Sequence, residues 1–407
     1  MSTEGVIVNR EAQAVTKEHP LATLILCYAG MIVIAIAVNL PPVYLTTFEQ
    51  AFGGADGLTK QQLGSIGTML FVGLVAGLLA GGPLADRFGA RAFVLIGNAL
   101  IAGGLGLMAV APSYALLLFA TCFMGVGAGV LDMILSPIVA ALRPQQRTSA
   151  MNLLHAFYAI GTILITLFGS LMIRLSMDWA IFDWRNVCLF LIAVPMTVLL
   201  GFAMARVPAL VGEQERRTSI FVLLANVSFW AAMFTMMLAG ATELGMAQWL
   251  PAYAEKALGY EKWTAGQALT AFAVAMAIGR LGGGFISRHI RPIRLLVLCC
   301  VLSAALYLVG AFWPERIVAL TACVSIGLTV SVLWPTVLGV TADRFPTGGA
   351  TMFALLAAAG NAGGAMNLVI GGIADRSNLH VAMGAVAVCP AIMVALLLYL
   401  GRDHASR

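Results

Sequence analysis

Three ionisable residues, Asp132, His155 and Glu243, stand inside long apolar runs of this 407-residue chain. A charged group at the centre of a bilayer costs about 2.5–3.5 kcal/mol on insertion scales, so each needs a reason. Asp132 lies in Gly125-Val-Gly-Ala-Gly-Val-Leu-Asp-Met-Ile-Leu-Ser-Pro137, where spacings of 4, 3 and 4 put Gly125, Gly129, Asp132 and Ser136 on one helical face. Small residues on that face permit close helix approach or leave a cavity. A carboxyl there can carry a proton or bind a solute; the alternative is a structural carboxyl bonded to a neighbouring helix. Glu243 lies in Gly240-Ala-Thr-Glu-Leu-Gly-Met-Ala-Gln-Trp249, with Gln248, Trp249 and Tyr253 close by. Aromatic rings flanked by polar groups suit a sugar, whose C–H face stacks while its hydroxyls bond. An interfacial aromatic belt accounts for Trp249 and Tyr253 equally simply.

Asn152, His155 and Tyr158 recur every three residues and share a face. His155 can relay a proton or serve as a neutral hydrogen-bonding group between helices. Asn39, Asn361 and Asn367 are weaker candidates for solute contact, since amides in membrane helices often bond across them. Arg280, near one end of its run, can extend its guanidinium towards the interface, which points to gating or packing.

The elements that must position these residues are membrane helices. Only 10% of residues are charged, 61% are hydrophobic and the mean hydropathy is +0.95, whereas a soluble domain carries roughly a quarter charged residues. Twelve apolar runs are long enough to cross a bilayer: 21–46, 62–84, 92–111, 114–141, 149–174, 186–205, 220–253, 264–286, 293–312, 316–341, 349–373 and 380–400. The polar stretch from Arg206 to Ser219 splits them six and six. The expected organisation is a tail (1–20), a first six-helix half (21–205), a linker (206–219), a second half (220–401) and a short tail (402–407). No small-residue cleavage site follows the first run, so Leu21 onward reads as a retained helix.

Placing both termini inside puts fifteen Lys and Arg residues in inner segments against seven in outer loops, which predicts cytoplasmic termini in an inner (plasma) membrane. The net charge of +5 is spread over these loops and gives no nucleic-acid footprint. Seven cysteines fall in apolar runs without metal-ligand or paired spacing and read as small core residues. The halves echo each other at a period near 200: Leu40-Pro41 with Leu250-Pro251, Gly82-Pro83-Leu84-Ala85 with Gly284-Phe285-Ile286-Ser287, Ser136-Pro137 with Trp334-Pro335, and Ala150-Met151 with Thr351-Met352. Two such halves place a solute site between them near the bilayer midplane, opened alternately to each side.

Residues 81–91, Gly-Gly-Pro-Leu-Ala-Asp-Arg-Phe-Gly-Ala-Arg, form a charged loop too polar for lipid. Their G-x-L-A-D-R-x-G-x-R pattern resembles the loop joining the second and third helices of the major facilitator superfamily. The resemblance implies a gating role for Gly82, Asp86, Arg87, Gly89 and Arg91. The matching loop of the second half departs from the pattern, with Arg288 where Asp would stand. Leu131-Asp132-Met-Ile-Leu-Ser136-Pro137 is similar to the Leu-Glu-x-x-x-Asn-Pro pattern of the fucose–galactose–glucose:proton symporter family. Segments 151–157 and 240–249 also look like that family's fifth and seventh helices. Asp replaces Glu at 132 and Ser replaces Asn at 136; an acidic proton site survives the first change, and the second removes an amide from the solute's surroundings.

The reading is an all-α, twelve-span transporter coupling a small polar solute, a monosaccharide or sugar derivative, to protons, with sodium as the alternative ion. Asp132, Glu243 and His155 would couple the proton; Asn39, Asp132, Ser136, Asn152, His155, Tyr158, Glu243, Gln248, Trp249 and Asn361 would contact solute. A functional monomer with no cofactor is expected, and no nucleotide-binding loop occurs in the sequence. A rival is an exporter of amphipathic drugs or lipids, for which Met236, Met237 and Met246 would supply a greasy cavity around Glu243. An enzyme or receptor would need a cluster of nucleophile, base or metal ligands, and the five histidines are scattered.

Overall fold

The computed structural model describes residues 20–143, 147–208, 220–286, 289–345 and 349–405. Among them are twelve helices long and apolar enough to cross a membrane: Leu21–Val43, Lys60–Gly81, Ala90–Val110, Tyr114–Leu142, Leu153–Ser176, Trp184–Met204, Val227–Lys256, Lys262–Gly283, Pro292–Phe312, Arg316–Arg344, Thr351–Arg376 and Leu379–Gly401. They are the first to twelfth spans below. The linker expected at 206–219 lies almost entirely outside the described residues.

Several spans are less continuous than their apolar runs, and proline explains three of the breaks. Proline cannot donate to the carbonyl four residues back, and its ring crowds that carbonyl. Pro195, Pro335 and Pro390 lie four residues after Leu191, Ser331 and Val386, where the sixth, tenth and twelfth spans are interrupted. The first run ends as a helix at Val43, just after Pro41-Pro42, and a separate helix, Leu45–Phe52, follows. The run 220–253 divides into Ile220–Leu224 and Val227–Lys256, because Asn226 caps the longer helix by accepting the Ser228 N–H at 2.9 Å.

Lipid supplies no hydrophobic drive between helices, so close backbone approach matters. A Cβ on Gly125 or Gly129 would lie 2.0 Å from the carbonyl oxygen of Leu70 or Leu74 on the second span. The glycines that share a face with Asp132 therefore serve tight packing of the fourth span on the second. The seventh span meets the eleventh as closely: a Cβ on Gly240 would stand 1.9 Å from the Gly360 carbonyl.

The first six spans meet the last six along a seam at the end remote from residues 20 and 405. There Thr46 donates to Glu255 at 2.6 Å, and Thr270 bonds Thr166 at 3.0 Å. The Asp375 carboxylate accepts the backbone N–H groups of Lys60 and Gln61 at 2.7 and 2.8 Å, capping the start of the second span from the other half. Glu49 pairs with Lys60 of its own half and with Lys256 of the other at 3.1 Å. Gly64 and Gly371 let the backbones touch, since a Cβ on either would fall 2.1–2.2 Å from the Asn367 or Lys60 carbonyl oxygen.

Partial burial by itself would raise the pKa of Glu49, but bonds and charge from Lys60 and Lys256 outweigh it and hold the carboxyl below its usual value. The sign is that of a depressed carboxylate: its stabilisation of the shut seam is full at neutral pH and fades as pH falls through the lowered pKa. Spin labels at the exposed Asp56 and Glu261, one in each half, should thus stay close at pH 7 and separate in acid, and Glu49→Gln should be separated at both. A Glu49→Gln protein with the wild-type pH profile would refute this role.

Candidate functional site

A cavity lies between the halves, immediately beside the closed seam, and is partly open to solvent. Four spans line it. The first contributes Val38 and Asn39, the fifth Tyr158, Ala159 and Thr162, the seventh Glu243, Leu244, Ala247 and Gln248, and the eighth Leu269, Phe272, Ala273, Met276 and Arg280. On the seventh span these are i, i+1, i+4 and i+5, one stripe of a helix turned to the cavity.

Hydrogen bonds tie the polar groups to one another, one of them across the halves. Asn39 Nδ2 donates to Ala35 O at 3.0 Å and to Thr162 Oγ1 at 3.2 Å, with Tyr158 Oη at 3.5 Å. Gln248 Nε2 donates to the Val38 carbonyl at 3.2 Å, joining the seventh span to the first. Arg280 stands 3.9 Å from Glu243, an ion pair without a direct hydrogen bond. Asp132 and His155 are within electrostatic reach of each other, and His155 also senses Arg280. Tyr158 senses Asp132, Glu243 and Arg280 together. One electrostatic network thus runs from the fourth span through the fifth to the seventh and eighth.

Asn39, Tyr158, Glu243 and Gln248 of the expected solute contacts line this cavity. Asp132 and Ser136 are half-buried and His155 is exposed, in helix portions nearer the termini. Asn361 turns back on its own helix, donating to Ala357 O at 3.0 Å. Trp249 and Tyr253 do not fit the sugar-stacking expectation. Both are fully buried, Trp249 lies off the lining stripe, and the Tyr253 hydroxyl donates to Gly310 O at 2.8 Å. Asn367 is buried at the seam beside Gly64 and Gly67.

Arg280 does not extend to the interface as its position in the run suggested; it turns into the cavity towards Glu243. Of the loop residues, Gly89 adopts φ +85° between the second and third helices, a conformation that favours glycine. Arg91 donates to the Ala203 carbonyl at the end of the sixth span. The loop expected at 81–91 is reduced to Gly89, since the helix that starts at Lys60 runs on through Gly82, Asp86 and Arg87 to Phe88; the side chains of Asp86, Arg87 and Asn152 are outside what the structure describes. Thr162 was missed, although it follows Tyr158 by one helical turn and shares its face. Met236 and Met246 are buried and Met276 is the methionine in the lining, so the described cavity is not methionine-rich.

Twelve candidate membrane spans and a cavity lined from both groups of six fit a membrane transporter. The sequence pattern of the Major Facilitator Superfamily matches residues 22–366, and the chain belongs to that family. It is 27% identical over 286 residues to the 3-(3-hydroxy-phenyl)propionate transporter of Escherichia coli K12, covering 68% of each chain. A shorter match, 33% over 108 residues, is to the multidrug resistance protein MdtH of Shigella dysenteriae; it spans 26% of this chain and 25% of MdtH. In fold the chain is similar to the outward conformation of FucP, at a TM-score of 0.63 and 23% identity over 94% of this chain and 99% of that one; FucP is the fucose:proton symporter of E. coli.

Proposed function

We propose that this chain is a proton-coupled secondary transporter of a small hydroxylated solute, a monosaccharide or sugar derivative. The observation that carries it is the cavity shared by both halves, where Asn39, Thr162, Tyr158 and Gln248 offer hydrogen bonds beside the Glu243–Arg280 pair. The solutes named for FucP and for the E. coli relative are likewise small and hydroxylated. The halves are 21–205 and 220–401, the protein works as a monomer in the plasma membrane, and both termini face the cytoplasm. In that orientation the seam through Thr46, Glu49 and Asp375 is the outer gate, and the described state is shut to the outside. Asp132, with His155 beside it, carries the proton, and Asp86, Arg87 and Arg91 belong to the inner gate.

Drug export is the weaker reading, because the described lining holds one methionine and is tied by polar cross-links. Purified protein in proteoliposomes should accumulate a labelled sugar, sugar acid or hydroxylated acid when energised only by a pH gradient. Accumulation that needs sodium, or none for any such solute alongside gradient-driven movement of cationic dyes, would overturn the proposal.

A further inference from the structure

We propose that the transported solute bears a carboxylate, bound by Arg280 while Glu243 takes up a proton; this rests on the transporter reading above. The two residues are the oppositely charged groups of the cavity lining, and they are loosely held. At 3.9 Å the guanidinium makes no hydrogen bond to Glu243, and about a third of the Arg280 side chain remains exposed against 15% for Glu243. A guanidinium has five donors in a planar fork that fits a carboxylate bidentately. Glu243 does not occupy that fork, so an incoming carboxylate can.

Charge then sets the coupling. The resident pair sums to zero, and a neutral solute leaves it so. An anion arriving alone would leave one uncompensated negative charge in a poorly solvated site, which is strongly unfavourable. Addition of one proton to a Glu243 carboxylate oxygen, drawn from water by way of Asp132 and His155, restores neutrality, and the same proton leaves by that route when the anion does. The ionisable groups that Glu243 meets are Arg280 on the eighth span, Tyr158 on the fifth and Tyr307 on the ninth. The Tyr307 hydroxyl is already committed to the Thr242 carbonyl at 2.6 Å. Arg280 in turn senses His155, whose neighbour is Asp132. The rest of the lining fits a hydroxylated acid with one apolar face. Leu269 and Phe272 supply the wall, and the amides of Asn39 and Gln248, with N–H groups used on the fifth span and across the halves respectively, keep carbonyl oxygens to accept solute hydroxyls.

The test compares matched pairs on the purified full-length protein: D-glucuronate against D-glucose, and 4-hydroxybenzoate against 4-hydroxybenzamide. Calorimetry in buffers of different ionisation enthalpy reads affinity and proton uptake together. At least one acid should bind about 10- to 100-fold more tightly than its neutral partner, taking up about one proton above neutral pH. Arg280→Gln should lose the preference and Arg280→Lys keep part of it. Glu243→Gln should bind the acid without proton uptake. Unliganded melting temperatures establish that each variant is folded.

Neutral partners binding as well as the acids, failure of both acids to bind, or undiminished proton uptake by Glu243→Gln would overturn the assignment. Gradient-driven uptake of D-glucose without D-glucuronate would also overturn it and leave the transporter reading standing. Acid binding with proton uptake, but no gradient-driven movement of any solute, would do the reverse.

Discussion

Asp132→Asn should keep solute binding and the exchange of labelled for unlabelled solute, yet lose uphill accumulation driven by protons. The amide has the shape of a protonated carboxyl but cannot release a proton, so the coupled step is frozen while the uncoupled one survives. With a gradient of one pH unit, one-for-one coupling supports about tenfold accumulation; the variant should level off at equal concentrations inside and out. Asp132 is half-buried on a face whose glycines pack against the second span, and its electrostatic neighbours are His155 and Tyr158. A change there leaves the backbone crossings untouched, which makes a folding defect a poor explanation of the loss. Retained accumulation in proteoliposomes energised only by protons would remove Asp132 as the obligatory carrier and leave that role to Glu243 or His155.

Gly64→Ala should cripple transport while leaving the protein folded. Its Cβ would meet the Asn367 carbonyl at 2.1 Å across the seam, where neither backbone can yield without moving a whole half. Within a half, Gly129→Ala makes an equally severe contact, 2.0 Å from Leu74 O, but between helices that stay together. Overpacking of this kind costs about 1–3 kcal/mol. At Gly129 the cost falls on stability and should lower the melting temperature. At Gly64 it falls on one conformation, and 1–3 kcal/mol shifts that equilibrium about 5- to 150-fold towards the state open at the seam. Spin labels at the exposed Asp56 and Glu261 should read the longer distance in Gly64→Ala, with the melting temperature near wild type. A normal distance distribution and normal turnover would show that the seam tolerates the methyl group.

Hydropathy made the twelve spans legible, because an apolar run of about 20 residues has few other uses. Polarity inside those runs also marked Asn39, Tyr158, Glu243 and Gln248. The rotation of each helix was not legible. It is set by which small residues seat against which carbonyls, as Gly240 does on Gly360, and that pairing joins positions 120 residues apart. Trp249 is only one residue from Gln248, yet the rotation buries one away from the cavity and turns the other into it. Arg280 posed the same problem, since a long side chain near a span's end can turn either way. The seam went unread for a different reason. Thr46, Glu49, Lys256 and Asp375 sit in ordinary-looking polar loops or helix ends, and only folding brings them opposite each other.

Asp375 grips main-chain amides, not a side chain, and this bears on what a comparison of many related sequences would record. Glu49 depends on the side chains at 60 and 256, so those three positions are expected to covary, charge for charge. Asp375 has no such correspondent. Any residue at 60 or 61 offers the same N–H except proline, so position 375 can remain acidic while its partners drift. Covariation methods would find the lysine cluster and pass over the carboxylate that holds the same two halves together.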